Sequence, residues 1–214
     1  TLDGVLPPSI SMGSNIAAKS DSALRALFQN CSLDTDCKNA FPNLLEDFGA
    51  LSVYLKENTI ELRLRHPITN EFTTRSVSYP DLALIIRLSL YSPEMSSLLP
   101  LTIHSAFNEN DYTSIAVSAQ AFEEALQDAM SYGMHNAVMC TEDLPFHPPE
   151  DTSNGQGKET YLGDDFLSSM QSICSVWPAG RIDNDFKRPV LSNVPTLILS
   201  GENDPITPPA YGDL

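Results

Sequence analysis

The feature that most constrains the fold is a short apolar run followed by a turn that carries an acidic residue. Residues 196–199 read Thr-Leu-Ile-Leu, an apolar and partly β-branched run typical of a parallel strand buried on both faces. Gly201 ends the run, and Pro205 restricts its own φ and favours extended geometry at Asp204. Asp204 is therefore expected just beyond the carboxyl end of a parallel strand, where open α/β sheets carry their chemistry. The alternative is a turn aspartate that hydrogen-bonds its own backbone.

The residues from 197 to 209, Leu-Ile-Leu-Ser-Gly-Glu-Asn-Asp-Pro-Ile-Thr-Pro-Pro, resemble the strand and acid loop of α/β-hydrolases. Residues 1–8 resemble the preceding core strand of that fold, and residues 137–143 and 174–178 extend the resemblance. Within the fold, the chain is most similar to the secreted tripeptidyl aminopeptidase and proline iminopeptidase-like group of serine peptidases. The resemblance implies that Asp204 is the acid of a Ser-His-Asp triad, which orients the catalytic histidine.

The same resemblance predicts the domain organisation. Residues 1–10 would hold one core strand, residues 11–190 a helical lid, and residues 191–214 the second core strand with the catalytic-acid loop. The expected fold class is thus a mainly α-helical lid with a β-hairpin, plus two neighbouring parallel strands that belong to an α/β-hydrolase core sheet. Two strands without the rest of a sheet would expose apolar edges, so self-association is also expected.

Two other parts of a triad are not encoded in the sequence. It has no Gly-x-Ser-x-Gly nucleophile elbow, and in this fold the order along the chain is serine, acid, histidine. All the histidines precede Asp204: His66, His104, His135 and His147. The chain therefore resembles a middle segment of a hydrolase. We expect the parent to be an enzyme and the segment alone to catalyse nothing.

Glu142 and Asp143 are the second candidates for a functional role. An aminopeptidase must recognise the substrate's α-ammonium group, which a desolvated carboxylate binds through a charge-assisted hydrogen bond. Lid carboxylates serve this purpose in similar aminopeptidases. The alternative is that both are solvated loop charges.

Four cysteines permit three complete pairings. Cys31 and Cys37 lie close together in a polar stretch, which favours the pairs Cys31–Cys37 and Cys140–Cys174, and the family resemblance implies the same pairs. Disulfides indicate an oxidising compartment, so the protein is expected to be secreted or periplasmic. The alternatives are reduced thiols or zinc ligands, but no Cys-x-x-Cys motif accompanies them. We expect no metal and no other cofactor.

Composition limits the partners. The chain has 12 basic and 28 acidic residues and a formal net charge of −16, which opposes binding to nucleic acid and to anionic membranes. No apolar run approaches the length of a membrane span. The expected partners are a peptide substrate with a free N-terminus and the remainder of the hydrolase core.

Periodicity predicts most of the lid. A hairpin is expected at residues 60–66 and 72–79 because both runs alternate apolar and polar residues. Residues 134–140 are predicted to form a short strand or an extended run, with Gly133 ending the helix before it. Residues 147–158 are predicted to form a surface loop. Helices are expected at residues 14–30, 34–40, from Pro42 to about 55, 82–91, 93–107 with a break at Pro100, 111–132 and 159–175.

Two classes of function therefore fit the sequence. The first is the lid and acid-loop segment of a secreted serine aminopeptidase that cleaves near a free peptide N-terminus. The second is a non-catalytic helical module that binds peptides or proteins, with Asp204 as a turn residue. Within the enzyme class, the lid of an esterase-type hydrolase also fits, since lids diverge while the acid loop persists.

Overall fold

The computed structural model describes residues 1–13, 15–65, 70–147, 160–183 and 185–213. The chain divides into two compact units. One consists of Thr1–Ala23 and Met130–Leu214, and contains both ends of the chain. The other is Leu24–Ala129. The first helix, α1 (Ile16–Leu33), contributes residues to both units.

The unit Leu24–Ala129 is built from helices and one hairpin. Its apolar positions recur at helical spacing and form a core in which Leu51, Ile86, Ile103 and Ile115 are fully buried. The helix Leu44–Glu57 packs on Leu99–Asn108, and the helix Tyr79–Ser89 packs on Thr113–Ala129. The helices after α1 are α2 (Thr35–Ala40), α3 (Leu44–Glu57), α4 (Tyr79–Ser89), α5 (Pro93–Ser96), α6 (Leu99–Asn108) and α7 (Thr113–Ala129).

The predicted hairpin is confirmed. Strands β2 (Ile60–Arg65) and β3 (Phe72–Val77) pair antiparallel, with Ile60 opposite Val77. Arg75 on β3 forms two hydrogen bonds with the carboxylate of Glu123 on α7, at 3.1 and 3.0 Å, and one with Asp81 on α4, at 3.0 Å. This partly buried guanidinium fastens the hairpin to both helices.

The other unit contains the parallel strands. β1 (Leu2–Asp3) and β4 (Ile198–Leu199) pair in parallel, with Leu2 opposite Ile198, as predicted from residues at the two ends of the chain. The unit also contains α8 (Tyr132–Val138), a π-helical turn (Met139–Asp143), a 3₁₀ turn (Leu144–Phe146), α9 (Asp165–Cys174) and a second 3₁₀ turn (Pro209–Tyr211).

The expectation that residues 196–199 are buried on both faces is wrong for this structure. Leu197, Ile198 and Leu199 are 58%, 40% and 45% exposed, and Leu2 on the partner strand is 51% exposed. Apolar, β-branched composition signals the burial that a strand can reach in a complete sheet. Among the described residues the sheet has only these two strands, so no further strand packs beside them and their apolar side chains remain partly exposed.

The predicted strand at 134–140 is also wrong, because α8 and the start of the π-helical turn occupy these residues. Periodicity alone cannot distinguish a strand from a helix in so short an apolar run. Gly133 lies inside α8 and does not end a helix. Two proline predictions are adjusted as well: α3 begins two residues after Pro42, and the helical break falls before Pro100, which lies in the first turn of α6.

Both predicted disulfides are present. Cys31–Cys37 joins the last part of α1 to α2, with the two Cα atoms 5.1 Å apart. Cys140–Cys174 joins the π-helical turn to the end of α9, with a Cα separation of 5.2 Å. The predicted loop at 147–158 lies outside the described residues apart from His147. No helix in the described part of the chain has the length and hydropathy needed to cross a membrane.

Candidate active-site acid loop

Asp204 lies in a loop directly after β4. The backbone N–H of Asp204 donates to the carbonyl oxygen of Gly201 at 3.1 Å, which closes the turn predicted from the Asn-Asp-Pro sequence. A Cβ atom added to Gly4, just after β1, would lie 4.0 Å from Oδ2 of Asp204. The carboxylate is therefore next to the carboxyl ends of both parallel strands.

Three hydrogen bonds fix the Asp204 carboxylate. The backbone N–H groups of Ile206 and Thr207 both donate to Oδ1 at 2.8 Å, and the Thr207 hydroxyl donates to Oδ2 at 2.9 Å. A carboxylate can accept about four hydrogen bonds, two on each oxygen. The two amides occupy Oδ1, and Oδ2 keeps one acceptor position that no described residue uses.

This arrangement has the two properties that a triad acid needs. Its orientation is set by backbone donors, which do not rotate as side chains do, and it retains an acceptor position for the N–H of an imidazole. It also contains the local hydrogen bonds of an ordinary turn aspartate, which was the alternative interpretation. The free acceptor position on Oδ2 and the place of Asp204 at the strand ends are compatible with a triad acid.

The loop is anchored on both sides. Ser200, at the end of β4, donates its hydroxyl to the carbonyl oxygen of Thr207 at 2.7 Å. Ser20 on α1 is fully buried, and its hydroxyl approaches the carbonyl oxygen of the buried Pro205 at 3.4 Å. Lys19 places its ammonium 5.9 Å from the ring centre of Tyr211. The start of α1 therefore packs against the acid loop within the same unit.

Asp143 is buried and already paired. Its Oδ1 accepts from the ammonium of Lys187 at 2.7 Å and from the backbone N–H of Met12 at 3.0 Å. Both side chains of the ion pair are mostly buried, with 10% of Asp143 and 16% of Lys187 exposed. The Met12 carbonyl oxygen in turn lies 2.9 Å from Nε2 of His147. Breaking such an ion pair would leave an uncompensated buried charge. The hydrogen bond from Met12 to Asp143 joins the π-helical turn to residues 11–13.

Glu142 occupies a different environment on the same turn. Its neighbours are fixed: Cys140 by the disulfide, Thr141 by a 2.7 Å hydrogen bond from the N–H of Gly180, and Asp143 by Lys187. The half-buried carboxylate of Glu142 has no hydrogen bond or ion pair with any described residue. The π-helical turn therefore presents the Glu142 carboxylate without a described partner.

Within the described residues, no hydrogen bond or ion pair connects Asp204 to Glu142 or to Asp143. No group of three or more potential metal ligands occurs there either. The sequence analysis missed Thr207 and Lys187. A threonine three residues after a turn aspartate is a recognisable signal for a side-chain hydrogen bond, whereas the pairing of Lys187 with Asp143 depends on tertiary contacts.

The Asp204 carboxylate directly follows a parallel strand, which is the position where open α/β sheets carry functional residues. The comparison with known families is more specific. Residues 159–213 match a family model of α/β-hydrolase domains described as TAP-like protein. The matched stretch contains α9, Cys174, β4 and Asp204, and it supports an α/β-hydrolase family. No curated protein and no solved structure matches the chain.

Proposed function

We propose that this chain is the lid and acid-loop segment of a secreted serine aminopeptidase, in which Asp204 is the acid of the catalytic triad. The observation that carries the proposal is the Asp204 carboxylate itself. Backbone amides saturate its Oδ1, Oδ2 has a free acceptor position, and the strand–loop stretch belongs to the region that matches an α/β-hydrolase family. The nucleophilic serine, its histidine and the oxyanion donors would come from the remainder of the hydrolase core.

The exposed pair of strands β1 and β4 supports an interaction with the remainder of a hydrolase core. Apolar side chains around β4 are open to solvent, including Val190 and Leu191 at 78% and 94% exposure and Leu197 at 58%. Several exposed apolar side chains in and before one strand favour contact with another surface. We propose that further strands of the hydrolase core pair with β1 and β4 and cover these residues. Self-association of the isolated chain would use the same surface.

Glu142 would bind the α-ammonium group of the peptide substrate. Its carboxylate is half-buried, has no described partner and sits on a turn that a disulfide holds in place. A charge-assisted hydrogen bond in such a setting is about twice as strong as a neutral one. Asp143 would be the second carboxylate of this subsite through its Oδ2, because Lys187 and Met12 occupy only Oδ1. The net charge of −16 favours cationic peptide N-termini over anionic ligands.

Secretion is part of the proposal. Two disulfides are compatible with an extracellular or periplasmic location, where thiols oxidise and bridges persist. The lid, which we assign to residues 11–190, would then limit access to the core for substrates with a free N-terminus.

The test compares aminoacyl and tripeptidyl nitroanilides with their N-blocked forms and with simple esters. The substrates are given to the 214-residue chain alone and to the full-length protein. We expect no turnover by the chain alone, and a strong preference of the full-length protein for free N-termini. Equal turnover of blocked and free substrates would indicate an esterase-type hydrolase. Turnover by the chain alone that survives Asp204→Ala would refute the proposal.

A further inference from the structure

A cavity of about 360 Å³ lies within the unit Leu24–Ala129, between α1, α2 and the start of α3. Its floor is apolar and consists of the buried residues Phe28, Cys31 and Leu44, with Phe41 at the side. The Phe28 ring is held by a tilted contact with Phe48, at 5.5 Å between ring centres. This volume falls at the lower end of the range for small-molecule sites.

The rim of the cavity carries more positive than negative charge. The exposed residues Arg25, Lys38 and Glu46 all line it, in a chain with more than twice as many acidic as basic residues. The ammonium of Lys38 has no hydrogen bond, ion pair or ring contact with any described residue, whereas Arg25 has partners of its own. Charges are screened over about 8 Å at physiological ionic strength. The charged side chains at the rim therefore affect a bound group more strongly than acidic residues farther away do.

The disulfide fixes this geometry. Cys31 belongs to the floor of the cavity, and its disulfide bond with Cys37 joins α1 to α2. Lys38 directly follows Cys37 in the sequence. Asp34 caps α2 by accepting the N–H of Cys37 at 2.8 Å, so its Oδ1 is already engaged with the backbone. The backbone of Lys38 is therefore ordered before a ligand binds at the rim, which reduces the conformational entropy lost on binding.

We propose that this cavity binds small amphipathic carboxylates, with the apolar group on the floor and the carboxylate at Lys38. The apolar floor accepts a group about the size of a single hydrophobic side chain. The unpartnered ammonium supplies a charge-assisted hydrogen bond to an anion. A peptide C-terminus and a short fatty acid share this chemistry. The cavity lining does not include Asp204 or Glu142, so the binding proposal is independent of the proposed catalytic role.

The experiment measures binding of four probes to the intact chain by isothermal titration calorimetry. N-acetylphenylalanine represents the peptide C-terminus and octanoate the fatty acid, and the corresponding amides are uncharged controls. We expect at least one acid to bind about fivefold more tightly than its amide, the effect of one partly exposed ionic contact. The acid that binds more tightly identifies the source.

Variants of Lys38 show where the preference arises. Lys38→Gln is expected to remove the difference between acid and amide, and Lys38→Arg to keep it. Lys56→Gln is the matched control, because this lysine lies over the ring of Tyr79 at 4.5 Å, outside the cavity lining. Circular dichroism verifies that each variant is folded. Equal binding of acid and amide, an unchanged preference in Lys38→Gln, or no binding of any probe would overturn the proposal.

Discussion

Thr207 holds the carboxylate of Asp204 through both of its oxygens. The backbone N–H of Thr207 donates to Oδ1 at 2.8 Å and its hydroxyl donates to Oδ2 at 2.9 Å. The two contacts come from one residue, so they set both the rotation and the tilt of the carboxylate. Thr207 is itself held by Ser200, which donates to its carbonyl oxygen at 2.7 Å. Any partner of Asp204 must therefore approach the remaining acceptor position of Oδ2.

The first prediction concerns this hydroxyl. Thr207→Val keeps the shape and the backbone contact but removes the donor to Oδ2, and should lower the free energy of unfolding of the chain by about 1 kcal/mol. Thr196→Val is the matched control, because the Thr196 hydroxyl bonds only the nearby carbonyl of Val194 at an exposed site. Urea denaturation compares the two. An equal effect of both substitutions would show that the contact with Asp204 adds nothing to stability.

The second prediction ranks the two disulfides. Replacing Cys140 and Cys174 by serine should cost roughly 2–4 kcal/mol, because the bridge closes a long loop and restricts the unfolded chain. Cys140 and Cys174 are 34 residues apart in sequence, against 6 for Cys31 and Cys37. Removing the shorter bridge should therefore cost less by about 1–2 kcal/mol. Denaturation of the two double variants tests the order, and a larger loss for the shorter bridge would contradict it.

The third prediction concerns Glu142 in the full-length protein. Glu142→Gln should raise KM about tenfold for substrates with a free N-terminus, because it removes the charge that binds the ammonium group. Hydrolysis of N-blocked esters should remain nearly unchanged. Glu57→Gln, at an exposed position at the end of α3, serves as control. Equal losses on both substrate types would indicate a folding defect, and no loss would make Glu142 a solvated surface charge.

The sequence was informative where chemistry is local. Alternation predicted the hairpin, and the Asn-Asp-Pro turn placed Asp204 after a parallel strand. It failed where a short apolar run has several possible structures. Residues 134–140 became helical, and the β4 side chains that were expected to be buried are exposed. Burial depends on which neighbours cover an element, and local composition does not contain that information.

The candidate site shows the same division. The position of Asp204 followed from the residues around it, and the interaction with Thr207 is also local. The burial of Asp143 against Lys187 and Met12 joins residues 44 and 131 positions apart, which no short-range pattern indicates. That the Glu142 carboxylate has no described partner, while Cys140, Thr141 and Asp143 all have one, follows only from tertiary contacts.

The most direct test of the central claim is the activity of Asp204→Asn in the full-length protein. Asparagine keeps the oxygen that accepts the amides of Ile206 and Thr207, and removes the negative charge that would stabilise an imidazolium. Glu202→Gln, an exposed position in the same loop, is the control. The proposed triad predicts that kcat falls by about 10³–10⁴-fold in Asp204→Asn and by less than about twofold in Glu202→Gln. A folded Asp204→Asn protein that keeps its activity would contradict the assignment of Asp204 as the triad acid.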